Sequence, residues 1–102
     1  MTTDPEMREL TLQVRHKSEI ADGVFLFELR AGDGGELPAF TPGSHITVTA
    51  PSGQKRRYSL CNDPAERDRY VIAVKRDPAG RGGSVDLVDN TRVGDTDRKS
   101  VV

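Results

Sequence analysis

Apolar and polar residues alternate through most of this chain, and a period of two is the mark of a strand with one buried face. In "LTLQVR", Leu10, Leu12 and Val14 fall on one side, with Thr11, Gln13 and Arg15 on the other. In "GVFLFEL", Phe25, Phe27 and Leu29 share one face while Val24 and Leu26 share the second, so this strand is expected to be buried on both sides. "SHITVTA" sets Ile46, Val48 and Ala50 against His45, Thr47 and Thr49, and "RYVIAVKR" sets Tyr70, Ile72 and Val74 against Val71, Ala73 and Lys75. Between these runs stand turn formers: "AGDGGELPAFTPG", "PSGQ" and "NDPAERD".

The pattern changes once. After "DPAGRGGS", the run "SVDLVDN" places Val85 and Val88 three apart, which fits a short helix with Ser84 as its N-cap. "TRVGD" then reads as the entry to another strand. Strands recurring at roughly 8 to 12 residues with Gly/Pro turns indicate an all-β fold. The expected architecture is a small six-stranded antiparallel Greek-key barrel with one short capping helix.

At 102 residues the chain holds one small domain. Fifteen basic residues against sixteen acidic ones give a net charge of -1, so no global field draws it to nucleic acid or anionic membrane. Any anion has to be held by a local cluster. The single cysteine, Cys61, excludes an internal disulfide and cannot supply the thiolates of an iron-sulfur cluster. It reads as a small, partly buried strand residue. The start, "MTTDPEMREL", lacks the basic-then-apolar pattern of a leader, and no apolar run approaches the ~20 residues of a membrane span. The expected location is cytoplasmic.

The last six residues, "DRKSVV", depart from everything before them. They can be encoded GAT CGG AAG AGC GTC GTG, followed by TAG, a string that resembles a sequencing adapter. We therefore expect residues 1–96 to be the domain, truncated at its C-terminal end with its last strand missing, and 97–102 to be a non-native tail. Resequencing the source locus tests this: a native stop codon at that position would refute it.

Two elements carry chemistry. In "KRRYSLCN", alternation sends Arg56 and Tyr58 to one face of a strand and Arg57 and Ser59 to the other. Arginine suits phosphate, because its planar fork donates parallel hydrogen bonds and keeps its charge. Tyrosine offers a plate for an aromatic ring, and Ser59 can donate to heteroatoms at the ring's edge. In "KRDPAGRGGS", Gly82 and Gly83 allow close backbone approach, and Ser84 opens a helix whose unbonded N–H groups favour an anion. A basic strand alone is most often a solvated face, and a glycine-rich segment most often a loop. Their combination favours a cofactor with an aromatic ring and a phosphate.

These residues resemble a family. Arg56-Arg57-Tyr58-Ser59 matches the Arg-x-Tyr-Ser/Thr signature of the ferredoxin reductase-type flavin domain. The longer run "RRYSLCNDPAERDRYVIAVKRDPAGRGGSVDLVDNTRVGD" is similar to the phthalate dioxygenase reductase and vanillate demethylase reductase subfamily. The resemblance covers Leu10 to Asp95. It implies an FMN-binding barrel, followed in the intact parent by an NAD(P)H-binding domain and a [2Fe-2S] domain that pass electrons to a Rieske-type oxygenase or demethylase. It also implies that Arg56, Arg57, Tyr58 and Ser59 lie along the flavin, with an arginine at the phosphate, Tyr58 against the ring and Ser59 near its reactive edge. Val74, Lys75 and Arg76 would pass the pyrimidine side through main-chain groups, and Gly82, Gly83, Ser84 and Val85 would cradle the phosphate. No residue is assigned a catalytic or metal-binding role, and the fragment alone is not expected to turn over.

The remaining polar residues take plainer readings. His16 and His45 lack second ligands at metal spacing, and Glu66/Asp68 and Asp86/Asp89 read as solvated positions. The rival reading is a non-catalytic small β-barrel module, for example one gripping single-stranded nucleic acid, or an inactive fragment. A nucleic-acid module needs several exposed aromatics, and this chain has three Phe, two Tyr and no Trp.

Overall fold

The computed structural model describes residues 8–32, 34–80 and 82–101. Residues 1–7 of the opening segment and Val102 of the tail lie outside the described residues. Six strands and one helix follow in the order β1 (Arg8–Ala21), β2 (Val24–Ala31), β3 (His45–Thr49), β4 (Lys55–Ser59), β5 (Tyr70–Lys75), α1 (Gly83–Asn90) and β6 (Thr96–Val101). They form one sheet in the order β4-β3-β6-β1-β2-β5, with every neighbouring pair antiparallel.

The alternation read from sequence is what builds the core. Leu12, Val14, Phe27, Leu29, Ile46, Val48, Tyr70, Ile72 and Val74 all turn inward and are almost fully buried. Each aliphatic side chain so buried contributes about 1.5–3 kcal/mol. The second face of β2 differs from expectation. Val24 and Leu26 are only half-buried there, because the same face carries Glu28 and Arg30. Arg30 holds Glu28 at 2.7 Å and Asp68 at 3.2 Å, while Arg69 holds Glu66 at 2.8 Å. Glu66 and Asp68 are thus paired with arginines along this face.

The sequence reading leaves the last strand out, whereas in the structure Thr96–Val101 fills the slot between β1 and β3. A β-ladder is made of main-chain hydrogen bonds, so a segment without apolar alternation can still occupy it. The preceding "TRVGD" is not strand but turn. Asp95 N–H donates to Arg92 O at 3.0 Å, and Gly94 N–H donates to Val14 O at 2.8 Å.

The ladder stays open between the edge strands β4 and β5, so the sheet curls without closing. Residues after β4 bridge that seam. Cys61 N–H donates to Val71 O at 2.8 Å, and Asn62 Oδ1 accepts from Val71 N–H at 2.9 Å while its amide donates to Arg69 O at 2.9 Å. Asn62 thereby does with a side chain what a strand would do with its backbone. Cys61 is exposed, not partly buried in a strand, because β4 ends at Ser59 and Leu60 takes the inward position.

Candidate functional site

Strand β4 alternates as expected. Arg56 and Tyr58 are half-buried on the side of their partners Val48 and Ile46, while Lys55, Arg57 and Ser59 are exposed. Tyr58 packs against the core edge, and burial pushes its phenol up from the ordinary value, partly offset by the charge of Arg56. Arg56 donates from Nη2 to Gln54 Oε1 at 2.7 Å and from Nη1 to Lys55 O at 2.8 Å. A guanidinium has five N–H donors, so these two bonds fix its direction without using it up.

Helix α1 begins two residues earlier than read. Gly82 is the N-cap, in the left-handed region at φ 89°, a conformation that costs other residues more. Ser84 is inside the helix and does not cap it. Its Oγ accepts from Asp77 N–H at 3.0 Å and so ties the helix to the end of β5. No side chain caps the helix, and its first intrahelical bond runs from Asp86 N–H to Gly82 O at 2.9 Å. The amides of Gly83, Ser84 and Val85 precede that bond and form the positive end of the helix.

The two elements meet at one point. A Cβ on Gly83 would lie 2.7 Å from Cζ and Nε of Arg56, so the guanidinium occupies the space that glycine leaves. Gln54 stands beside it, its Nε2 at 3.9 Å from where a Cβ on Gly82 would be. Arg57 and Ser59 leave the strand on its other, exposed side. Val74 is fully buried and offers a ligand only main chain, while Lys75 is exposed. Arg76 is engaged with Asp89 through two hydrogen bonds of 2.9 and 2.8 Å, and the pairing holds the Asp89 carboxyl below its usual range.

Four contacts around the site had no local sequence signal. Asp86 accepts from Ser52 N–H at 2.7 Å and from Asn90 Nδ2 at 2.6 Å, so it joins the β3–β4 turn to the helix rather than facing solvent alone. Asp89 closes the β5 side. Gln54 orients Arg56. Lys17, from β1, donates to Val88 O and to Thr91 O (2.8 Å for the latter), and supplies at the helix C-terminus the cation that α1 lacks.

No protein-family model matches the chain. It is 58% identical over 84 residues to the phthalate 4,5-dioxygenase oxygenase reductase subunit of Pseudomonas putida, covering 82% of this chain and 26% of that protein. It is 50% identical over 95 residues to the phthalate dioxygenase reductase of Burkholderia cepacia, covering 93% and 30% respectively. A solved phthalate dioxygenase reductase superposes with a TM-score of 0.86 at 48% identity, over 91% of this chain and 28% of that one. The chain belongs to the phthalate dioxygenase reductase family. This is a family of flavin-dependent electron-transfer reductases, and the solved member is described as a modular structure for electron transfer from pyridine nucleotides to [2Fe-2S]. The chain spans between 26% and 30% of the length of these relatives. The architecture matches the FMN-binding barrel domain of the ferredoxin reductase fold, as the family resemblance implied.

Proposed function

We propose that this chain is the FMN-binding domain of an NAD(P)H-dependent reductase that feeds a Rieske-type aromatic-ring oxygenase or demethylase. The nicotinamide-binding domain, the [2Fe-2S] domain and the oxygenase would be contributed from outside these 102 residues. The observation that carries the reading is the meeting of Arg56 with Gly82 and Gly83 at a helix N-terminus that has no side-chain cap. A cation, a glycine with no Cβ and unbonded amides at one point make a cradle suited to the phosphate of a flavin.

In this reading Gly82, Gly83, Ser84 and Val85 hold the phosphate by main chain, with Arg56 beside it. Tyr58 lies against the ring, Ser59 near its reactive edge, and Arg57 along the exposed side of the same strand. Val74, Lys75 and Arg76 present main-chain groups to the pyrimidine side. The bound flavin supplies the redox chemistry, accepting a hydride and passing on single electrons. The protein's part is position: a half-buried Tyr58 for stacking and a fixed charge at the phosphate end. We place the protein in the cytoplasm, where a lone exposed thiol such as Cys61 stays reduced. No helix among the described residues is long and apolar enough to cross a membrane.

The aromatic residues support this reading over a nucleic-acid module. Phe27, Phe40 and Tyr70 are buried, and Phe25 and Tyr58 are half-buried, which leaves no row of exposed rings for successive bases. Titrating FMN and riboflavin into the purified chain, followed by flavin fluorescence and visible absorbance, tests the proposal. FMN should bind more tightly than riboflavin. A folded, colourless protein that ignores FMN but binds an oligonucleotide would overturn the reading.

A further inference from the structure

The seam between β4 and β5 ends on a rung made partly by a side chain. Cys61 N–H donates to Val71 O at 2.8 Å, and in an antiparallel ladder the reciprocal bond would run from Val71 N–H to the Cys61 carbonyl. Here it runs instead to Oδ1 of Asn62, at 2.9 Å. Nδ2 of Asn62 donates to Arg69 O at 2.9 Å, so the amide is fixed at both ends. One side chain thus stands where a main-chain carbonyl would, and beyond this rung the two strands part. Continued by two residues on each strand, the same register would pair Ser59 with Ala73, and by two more, Arg57 with Lys75. Neither pair forms, since β4 and β5 are the two edges of the sheet.

Alternation turns the main chain of Ala73 and Lys75 to the same side as that of Val71, toward the seam, whereas Arg76 N–H points away from it, to Gly23 O at 2.7 Å. The result is a wedge. Its apex is the Asn62 rung, one wall is Tyr58 and Ser59 of β4, and the other is the seam-facing main chain of Ala73 and Lys75 of β5. A flat ring held between two strands needs an opening of fixed width, and the point where the ladder stops sets that width. We propose that Asn62 is a positioning residue for the flavin ring: its side-chain rung ends the ladder one step short of Ser59 and Ala73 and so fixes the opening that the ring enters. Asn62 acts through those two residues and does not itself have to touch the flavin. The proposal rests on the assignment of Tyr58, Ser59 and Val74, Lys75 and Arg76 to the ring, and the phosphate end takes no part in it.

The test is a titration of FMN and riboflavin into the full 102-residue chain and into Asn62→Ala, Asn62→Asp, Asn62→Gln and Lys17→Met, each with a melting curve and the visible absorption spectrum of the bound flavin. Both flavins carry the same ring, so Asn62→Ala should weaken both by the same factor, about five- to tenfold, and blur the fine structure of the visible band. Asn62→Asp keeps the acceptor for Val71 N–H and should recover part of the loss. Lys17→Met is the control for stability alone. It lies away from the seam, at the C-terminal end of α1, and should lower Tm while leaving both affinities within about twofold of the native chain. Should Asn62→Ala fail to fold, Asn62→Gln keeps both polar groups but sets them a methylene further out, and it too should weaken both flavins alike. Asn62 variants that lower Tm as Lys17→Met does, yet leave affinity and spectrum as in the native chain, would overturn the proposal. So would a loss confined to FMN, which would put the effect at the phosphate. A native chain that binds neither flavin would instead remove the ring assignment beneath it.

Discussion

The guanidinium of Arg56 rests on Gly83 so closely that a Cβ there would come within 2.7 Å of its Cζ. Gly83 is helical and carries no positive φ, so alanine is not strained at this position. The displaced atoms are the far end of a flexible side chain, which can move at low cost. Gly83→Ala should therefore leave thermal stability unchanged or raise it, since alanine gains up to about 1 kcal/mol over glycine in a helix. FMN affinity should fall by about tenfold because Arg56 is pushed aside. Isothermal titration alongside a melting curve checks this, and a sharp fall in Tm with unchanged affinity would contradict it.

Lys17 should matter to stability out of proportion to its place on β1. Its Nζ bonds the carbonyls of Val88 and Thr91 at the end of α1 and lies 5.9 and 5.7 Å from the ring centroids of Phe25 and Phe27. Lys17→Met keeps the apolar stem but strips both carbonyls of their donor. A loss of about 1–2 kcal/mol is expected, read from the urea midpoint. Lys17→Arg should recover part of it, since a cation is restored at the helix end.

Acid should loosen the helix from its two neighbours. Asp86 is held below its ordinary value of 3.8 by the hydrogen bond from Asn90 and then by that from Ser52 N–H. Asp89 is held below the same value by its hydrogen bond with Arg76. A carboxyl depressed in the folded state stabilises the fold above its unfolded value, and that contribution is lost as pH falls through the lower folded value. The window therefore opens near pH 3.8 and extends downward. Urea midpoints measured from neutral pH down through this range should drop, and Asp89→Asn should flatten the drop. An unchanged slope in that variant would show that the Arg76 pair carries no linkage.

The seam between β4 and β5 depends on Asn62, whose oxygen accepts from Val71 N–H and whose amide donates to Arg69 O. Val71 is buried, so removing its acceptor leaves a main-chain donor without water. Asn62→Ala should cost about 1–3 kcal/mol. Asn62→Asp keeps the acceptor and loses only the donor, so its cost should be smaller. Hydrogen exchange at the Val71 amide reads the seam directly and should quicken in the alanine variant.

What could be read from sequence was set by distance along the chain. Alternation is a local property, and it correctly oriented Phe27 and Leu29, Ile46 and Val48, and the division of Arg56 and Tyr58 from Arg57 and Ser59. Ser84 was misread as a cap because a hydroxyl near a helix start usually caps, whereas here the left-handed Gly82 takes that place and the hydroxyl turns to Asp77. The clasp from Ser52 to Asp86 and the bond from Lys17 to Val88 join residues 34 and 71 positions apart. No periodicity reports such pairs. Asp86 and Asp89 look solvated from their neighbours in sequence, and the packing of α1 between the β3–β4 hairpin and β5 gives them the Ser52 amide and Arg76 as partners.

The two arginines of the signature should not behave alike. Arg56 points toward the core side and reaches the helix N-terminus, while Arg57 is exposed on the opposite face, opposite Thr47 of β3. If the flavin phosphate sits at Gly82–Val85, Arg56→Ala removes its neighbouring cation, and a charge-assisted hydrogen bond of this kind contributes about 1.5–3 kcal/mol. FMN affinity should then fall by roughly 10- to 150-fold with riboflavin affinity little changed, because riboflavin has no phosphate to lose. Arg57→Ala should leave both ligands within about twofold of the native chain. Paired FMN and riboflavin titrations of the two single variants give the answer. A larger FMN loss in Arg57→Ala than in Arg56→Ala would move the phosphate to the exposed face of β4 and away from the helix.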